Sequence, residues 1–191
     1  MRIVAGKFRG KPLTSPSDDS IRPTADRVRE SMFNILGSRL GPVFDGKRVL
    51  DLFAGTGAMA FEALSRGAAF ALLVDDGTEA RGLIRENQMA LGLAGHSRVF
   101  RRDATKLGAI GPMAPFGVMF CDPPYRKGLG EKALISARDN SWLEAGALIV
   151  LEEAGDVDVA LPEGFETLER REYGETQVLL LRVGAPAAGA A

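Results

Sequence analysis

The sequence predicts an α/β fold: a mostly parallel seven-stranded sheet, helices on both faces, and an antiparallel hairpin at its end. Three observations predict it. Apolar runs such as 49–53 and 118–121 are continuous rather than alternating, as in strands buried on both faces. They alternate with segments of helical periodicity, which makes the strand pairs parallel. The last two candidate strands are separated only by Gly174-Glu175, which suits a hairpin.

Residues 2–13, with Gly6 and Gly10 between short apolar stretches, predict a small β-hairpin exposing Lys7, Arg9 and Lys11. Residues 15–20 form a polar loop. Thr24 is a candidate N-cap for a helix whose Val28, Met32, Ile35 and Leu36 share one face. Arg22, Arg27 and Arg29 cluster near its start, off that face, and Gly37 and Gly41-Pro42 end it. A first strand, 48–53, enters the tight turn Ala54-Gly55-Thr56-Gly57 and a helix over 58–66. Strands follow at 69–74, 98–101, 117–121 and 147–151, with helices at 78–91 and 128–140. Segments 165–173 and 176–183 form the closing hairpin, and the low-complexity tail 185–191 is expected to be disordered. The organisation expected is a basic hairpin-and-helix extension (1–44), a principal domain (45–184) and the tail.

Composition narrows the chemistry. A chain of 191 residues with 46% hydrophobic content can bury a core without staples. One cysteine, Cys121, excludes an internal disulfide; inside an apolar strand it reads as packing. One histidine, His96, in a Gly-His-Ser turn, argues against His-clustered metal sites and a Ser-His-Asp triad. No run of about 18 apolar residues and no signal peptide is present, so a soluble, cytoplasmic protein without membrane contact is expected. The net charge of −1 hides an asymmetry: residues 1–48 carry +5 and the remainder −6. Phe8 interleaves with the bases of this front, which suits a nucleic acid.

The chemistry concentrates at strand ends. Asp122-Pro123-Pro124-Tyr125 stops an apolar strand at its carboxyl end, where open α/β sheets bind ligands. Neither proline has an N–H, and Pro124 keeps Pro123 extended. A flat ligand with an amino edge fits: the amine donates to Asp122 and the Pro123 carbonyl, and the Tyr125 ring stacks on its face. The turn after the first strand lacks the Gly-Lys-Ser/Thr of a phosphate loop. Asp51 beside it would repel a pyrophosphate and attract an ammonium, as in S-adenosylmethionine. Asp75 is placed to accept ribose hydroxyls, and Asp103 to reach an adenine amine. Asn87 interrupts the apolar face of its helix and reads as a satisfied polar residue.

Together these residues resemble the class I S-adenosylmethionine-dependent methyltransferases, which have a Rossmann-like fold. Asp51 to Gly57 matches their glycine-rich motif, Asp75 their ribose acid and Asp103 their adenine-side acid. Asp122-Pro-Pro-Tyr125 matches the Asp/Asn-Pro-Pro-aromatic motif of amino-group methyltransferases. Residues 2–13, Arg22 to Leu36, Asp51 to Ala58 and Glu62 to Ala68 further resemble the RsmD family, the bacterial 16S rRNA (guanine-N2) methyltransferases. The likeness covers roughly residues 1–183. Gly77 stands where that family often has an acid, and Met59-Ala60 where Leu-Gly is usual.

The resemblance implies methyl transfer from S-adenosylmethionine to N2 of a guanine in 16S rRNA, number 966 by the family's name. The substrate would be the 30S subunit or an assembly intermediate. Asp122, Pro123, Pro124 and Tyr125 would form the catalytic ledge. Asp51, Phe53, Ala54, Gly55, Gly57, Asp75, Asp103 and Ala104 would hold the cofactor, without a metal. Lys7, Arg9, Lys11, Arg22, Thr24, Arg27, Arg29, Arg126 and Lys127 would face RNA, and a monomer is expected. A DNA adenine-N6 or cytosine-N4 methyltransferase and a non-catalytic RNA-binding assembly factor are the alternatives. The first shares the ledge but would need a target-recognition insert larger than this 45-residue front.

Overall fold

The computed structural model describes residues 1–16, 26–42 and 44–184. Among them the order is α1 (Asp26–Leu40), β1 (Arg48–Leu52), α2 (Ala58–Ser65), β2 (Phe70–Val74), α3 (Thr78–Ala90) and β3 (Ser97–Phe100). A 3-10 turn (Ala104–Lys106) leads to β4 (Phe116–Cys121), α4 (Leu129–Asp139), β5 (Leu143–Ala154), β6 (Phe165–Tyr173) and β7 (Thr176–Val183). The seven strands form one sheet in the order β3-β2-β1-β4-β5-β7-β6. β3, β2, β1, β4 and β5 are parallel; β7 runs antiparallel between β5 and β6.

Strand parity divides the core. Val49, Ala71, Leu73, Val118, Phe120 and Val150 face one side, with Phe33 of α1, Phe61 of α2 and Ile84 of α3. Leu50, Leu72, Met119, Cys121, Ile149 and Leu151 face the other, with Leu134 of α4, Ala104 of the 3-10 turn and Trp142. Both faces are therefore covered, which is why the strands read as continuous apolar runs. Phe33, Phe44 and Phe120 pack with ring centroids 5.1 to 6.2 Å apart, fixing α1 over the sheet.

Three details refine the sequence expectations. The small amino-terminal hairpin is present but minimal, a strap with a single antiparallel bridge from Arg2 to Pro12 and no extended ladder. Ile3 N–H still donates to the Lys11 carbonyl at 3.0 Å, Gly10 N–H to the Ile3 carbonyl at 2.8 Å and Leu13 N–H to the Met1 carbonyl at 3.1 Å, while the tip between them bonds to α2. Val4 and Ala5 N–H donate to Glu62 at 2.7 and 3.0 Å, and Lys7 N–H donates to the Ser65 carbonyl at 2.8 Å. Gly6 is required there: its φ is +79°, and a Cβ would lie 1.9 Å from the Ser65 carbonyl oxygen. Second, α1 runs through Gly37 to Leu40, ending before Gly41 at φ +67°. Burial of Met32, Phe33 and Leu36 outweighs the propensity cost of one exposed glycine. Third, β5 extends from Leu143 to Ala154 rather than 147–151, because Leu143 pairs with Phe116 and Glu152 to Ala154 pair with β7.

Candidate active site at the carboxyl edge of the sheet

The chain leaves β1 toward β2 and β3, then returns to place β4 on the other side of β1. That reversal opens a crevice above the carboxyl ends of β1 and β4. Asp51, Asp75 and Asp122 all come to this edge.

The turn after β1 is tightly wound. Phe53, Gly55 and Gly57 have φ of 57°, 55° and 79°. Positive φ is strained at a phenylalanine, and such strain concentrates at functional sites. The turn is held from both sides. Ala54 N–H donates to the Val74 carbonyl at 3.2 Å, and Gly57 N–H to the Ala54 carbonyl at 2.7 Å. The glycine at 57 is required by its φ of +79° and by packing. A Cβ there would lie 2.6 Å from the Phe61 ring and 2.7 Å from Leu73.

Asp51 is 3% exposed and accepts Ala60 N–H at 3.1 Å. Burial pushes its pKa up to about 8, against the help of that N–H, with nearby Asp75 adding to the rise. Asp75 is half-buried; its two oxygens accept Gly55 N–H at 2.9 Å and Gly77 N–H at 2.8 Å. Burial raises its pKa; the two N–H groups counter that, Asp76 adds to the rise and Arg81 opposes it. Arg81 was not singled out in the sequence, yet its guanidinium closes the β2–α3 turn on the Gly77 carbonyl at 2.9 Å and on the Asp76 carbonyl. Asp103 is exposed and caps the 3-10 turn, accepting Thr105 hydroxyl at 2.7 Å and N–H at 2.8 Å. Those bonds hold its carboxyl below the usual range. Ala104 beside it is buried.

Asp122 follows β4 and is half-buried, Pro123 is buried and Pro124 exposed. The Tyr125 hydroxyl donates to Glu152 and lies 3.3 Å from the Thr176 hydroxyl. Burial, then the Glu152 bond, push its pKa far up, so the phenol stays protonated. Cys121 is 1% exposed and its thiol pKa is raised by burial and by Asp122, which fits packing rather than nucleophilic work. Arg126 has φ +61°; its N–H donates to Glu153 at 2.9 Å and its guanidinium meets Asp156 at 3.0 Å. Lys127 is exposed. Glu152 and Glu153 escaped the sequence reading. The signal was present: they close β5 as Asp51 and Asp122 close β1 and β4.

The basic front divides. Lys7, Arg9 and Lys11 are exposed, with the Lys7 ammonium 5.4 Å from the Phe8 ring centroid. Lys7 is bonded to Ser65, at the far end of α2 from the glycine turn, about 12 Å along an eight-residue helix, and Arg9 and Lys11 follow on the same tip. Arg22 and Thr24, and the side chain of Arg27, lie outside the described residues. Arg29 does not face RNA: it is 0% exposed. It sits on the buried stripe of α1 with Met32, Phe33 and Leu36, donates to the Arg2 carbonyl at 2.5 Å and stands 4.0 Å from Glu62. Glu62 also accepts Arg66 at 2.8 Å. Asn87, 0% exposed, is satisfied as expected. It joins Thr14 N–H and carbonyl to the Thr56 carbonyl at 2.7 to 3.1 Å.

The sheet order, the antiparallel β7 and the carboxyl-edge crevice define the Rossmann-like class I methyltransferase fold. The solved structure of yhhF from Escherichia coli superposes with a TM-score of 0.82 at 34% identity, over 97% of this chain and 99% of that one. A family model described as conserved hypothetical protein 95 matches residues 1–182. YlbH of Bacillus subtilis is 37% identical over 187 residues, 95% of this chain and 98% of its own. Ribosomal RNA small subunit methyltransferase D of Escherichia coli K12 is 40% identical over 163 residues, 85% of this chain and 78% of its own. The chain belongs to this family, the RsmD family.

The residues at the crevice fit S-adenosylmethionine. Burial raises the Asp51 pKa to about 8, and a cation bound beside it would favour its ionised form; Asp75 is a half-buried acceptor at the rim.

Proposed function

We propose that the protein transfers the methyl group of S-adenosylmethionine to the exocyclic N2 of a guanine in 16S rRNA. The observation that carries this is the position of Asp122-Pro123-Pro124-Tyr125 at the switch point beside the Asp51–Gly57 turn. The name of the Escherichia coli relative supports ribosomal RNA as the substrate.

Asp51, the turn 53–57 and Asp75 would hold the cofactor, with Asp103 and Ala104 toward its adenine. The cofactor supplies an electrophilic methyl group. An exocyclic amine is a poor nucleophile because its lone pair is delocalised into the ring. Asp122 and the Pro123 carbonyl accept its two hydrogens, which returns density to nitrogen and turns the lone pair toward the methyl. The contribution is positioning and pre-oriented electrostatics. Tyr125, its hydroxyl tied to Glu152, offers its ring to a base splayed out of the RNA. The extra proton leaves afterwards, to Asp122 or water. Lys7, Arg9 and Lys11, with Lys127 nearer the ledge, would meet phosphates, residues 1–44 acting as the RNA-facing part. The enzyme would act as a cytoplasmic monomer on the assembling or complete 30S subunit.

Labelled-methyl transfer to 30S particles, free 16S RNA and plasmid DNA tests this, with nucleoside analysis of the product. Label in 16S rRNA as N2-methylguanosine is expected. Label in DNA and none in RNA would overturn it.

A further inference from the structure

β4 and β5 run side by side in parallel, with Cys121 opposite Leu151. One residue further, Asp122 leaves β4 beside Glu152, and adjacent strands lie about 5 Å apart. Parity carries both acids to the same face. Phe120 and Val150, two residues before them, share one core cluster, while Cys121 and Leu151 share the other. Glu152 is 7% exposed, and the Tyr125 hydroxyl donates to its Oε1. Asp122 is close enough to raise the Tyr125 pKa as well. A second carboxylate therefore stands in the wall of the ledge, tied to the ring that covers the base.

Three bases carry an exocyclic amine. In adenine and cytosine the ring nitrogens next to the amino-bearing carbon are acceptors. Guanine alone carries an N–H donor there, at N1. A carboxylate beside the acid that holds the amine accepts that N–H, and repels the lone pair that adenine or cytosine would put in its place.

We propose that Glu152 is a specificity-determining residue that selects guanine by accepting N1–H while Asp122 and the Pro123 carbonyl hold the N2 amine. This rests on the guanine-N2 reading above. Tyr125 gives it a testable handle. Its hydroxyl donates to one oxygen of Glu152, so in Glu152→Gln the amide oxygen keeps that bond and the NH2 takes the place of the other oxygen. An acceptor toward the base becomes a donor.

The test uses RNA carrying either guanine or 2-aminopurine at the mapped target. Both have the same 2-amino group, but N1 of 2-aminopurine is a lone pair. The wild-type kcat/KM is expected to fall about 10- to 100-fold on 2-aminopurine, the range of one lost base-edge contact. Glu152→Gln is expected to narrow that ratio at least tenfold or invert it, with S-adenosylmethionine affinity and Tm unchanged. An equal loss on both substrates would mean that Glu152 only props Tyr125, and would overturn the proposal. So would wild-type enzyme that uses both bases equally, a result that needs no folded variant. Absence of N2-methylation on the guanine substrate sinks the parent reading and this one together; N2-methylation without discrimination sinks this one alone.

Discussion

Asp122 and Asp51 sit in different surroundings, which under the proposed function give them different work. Asp122, half-buried at the ledge, would be the acceptor that orients the amine. Asp122→Ala is expected to lower kcat about 10²- to 10³-fold, the scale of removing one pre-oriented electrostatic partner. Calorimetry should show S-adenosylmethionine binding retained; loss of cofactor binding instead would place Asp122 on the wrong side of the crevice. Asp51 is a pH-dependent element. Its folded pKa of about 8 exceeds the ordinary 3.8. The native state therefore binds more protons than the unfolded chain between those values, and stability falls as pH rises through that window. The contribution is fully present below the lower value and lost above the higher. Denaturant unfolding at about pH 5 and about pH 8.5 should show the fall, and Asp51→Asn should reduce it. Binding a cationic cofactor would ionise Asp51, so proton release near neutral pH should appear as a buffer-dependent binding enthalpy, absent in the variant.

At the scale of elements, α1 and the amino-terminal strap are built into the core. Phe33 is 1% exposed between Phe44 and Phe120, with the Arg66 guanidinium 4.8 Å from its ring centroid. Phe33→Ala is expected to cost about 3–5 kcal/mol, read as a lower denaturant midpoint at an unchanged m-value. A loss under about 1 kcal/mol would mean that α1 is only loosely docked. Element types were legible because the helices carry an apolar period and the parallel strands are continuous apolar runs, and the closing hairpin was legible from its two-residue turn. Ends were not. Gly37 looked like a stop, but α1, anchored by the buried Met32, Phe33 and Leu36 before it, runs on through it. Arg29 looked solvent-facing because charge usually is. Its partners, the Arg2 carbonyl and Glu62, lie 27 and 33 positions away, and no local pattern announces them.

For the whole molecule, the +5 front set against a −6 body predicts strongly salt-dependent RNA binding. Replacing Lys7, Arg9 and Lys11 together by Ala should make the slope of log K against log salt shallower by about 2. Target choice, read by product mapping, should not move. An unchanged slope would mean that the strap tip, some 12 Å along α2 from the turn, does not reach RNA.

By itself the sequence determined the alternation of strands and helices, the acids Asp51, Asp75, Asp103 and Asp122 at the first four strand ends, the Asp-Pro-Pro-Tyr ledge and the family. These are local patterns or short motifs, and they survive without coordinates. Tertiary structure decided the rest. It inserted β7 between β5 and β6, which strand order along the chain does not dictate. It buried Arg29 and Glu62 as the clamp on the strap. It brought Glu152 beside Asp122 and onto the Tyr125 hydroxyl. The reason is the same each time. Pairing between strands and burial of charge depend on neighbours distant in sequence, and only the packed sheet chooses them.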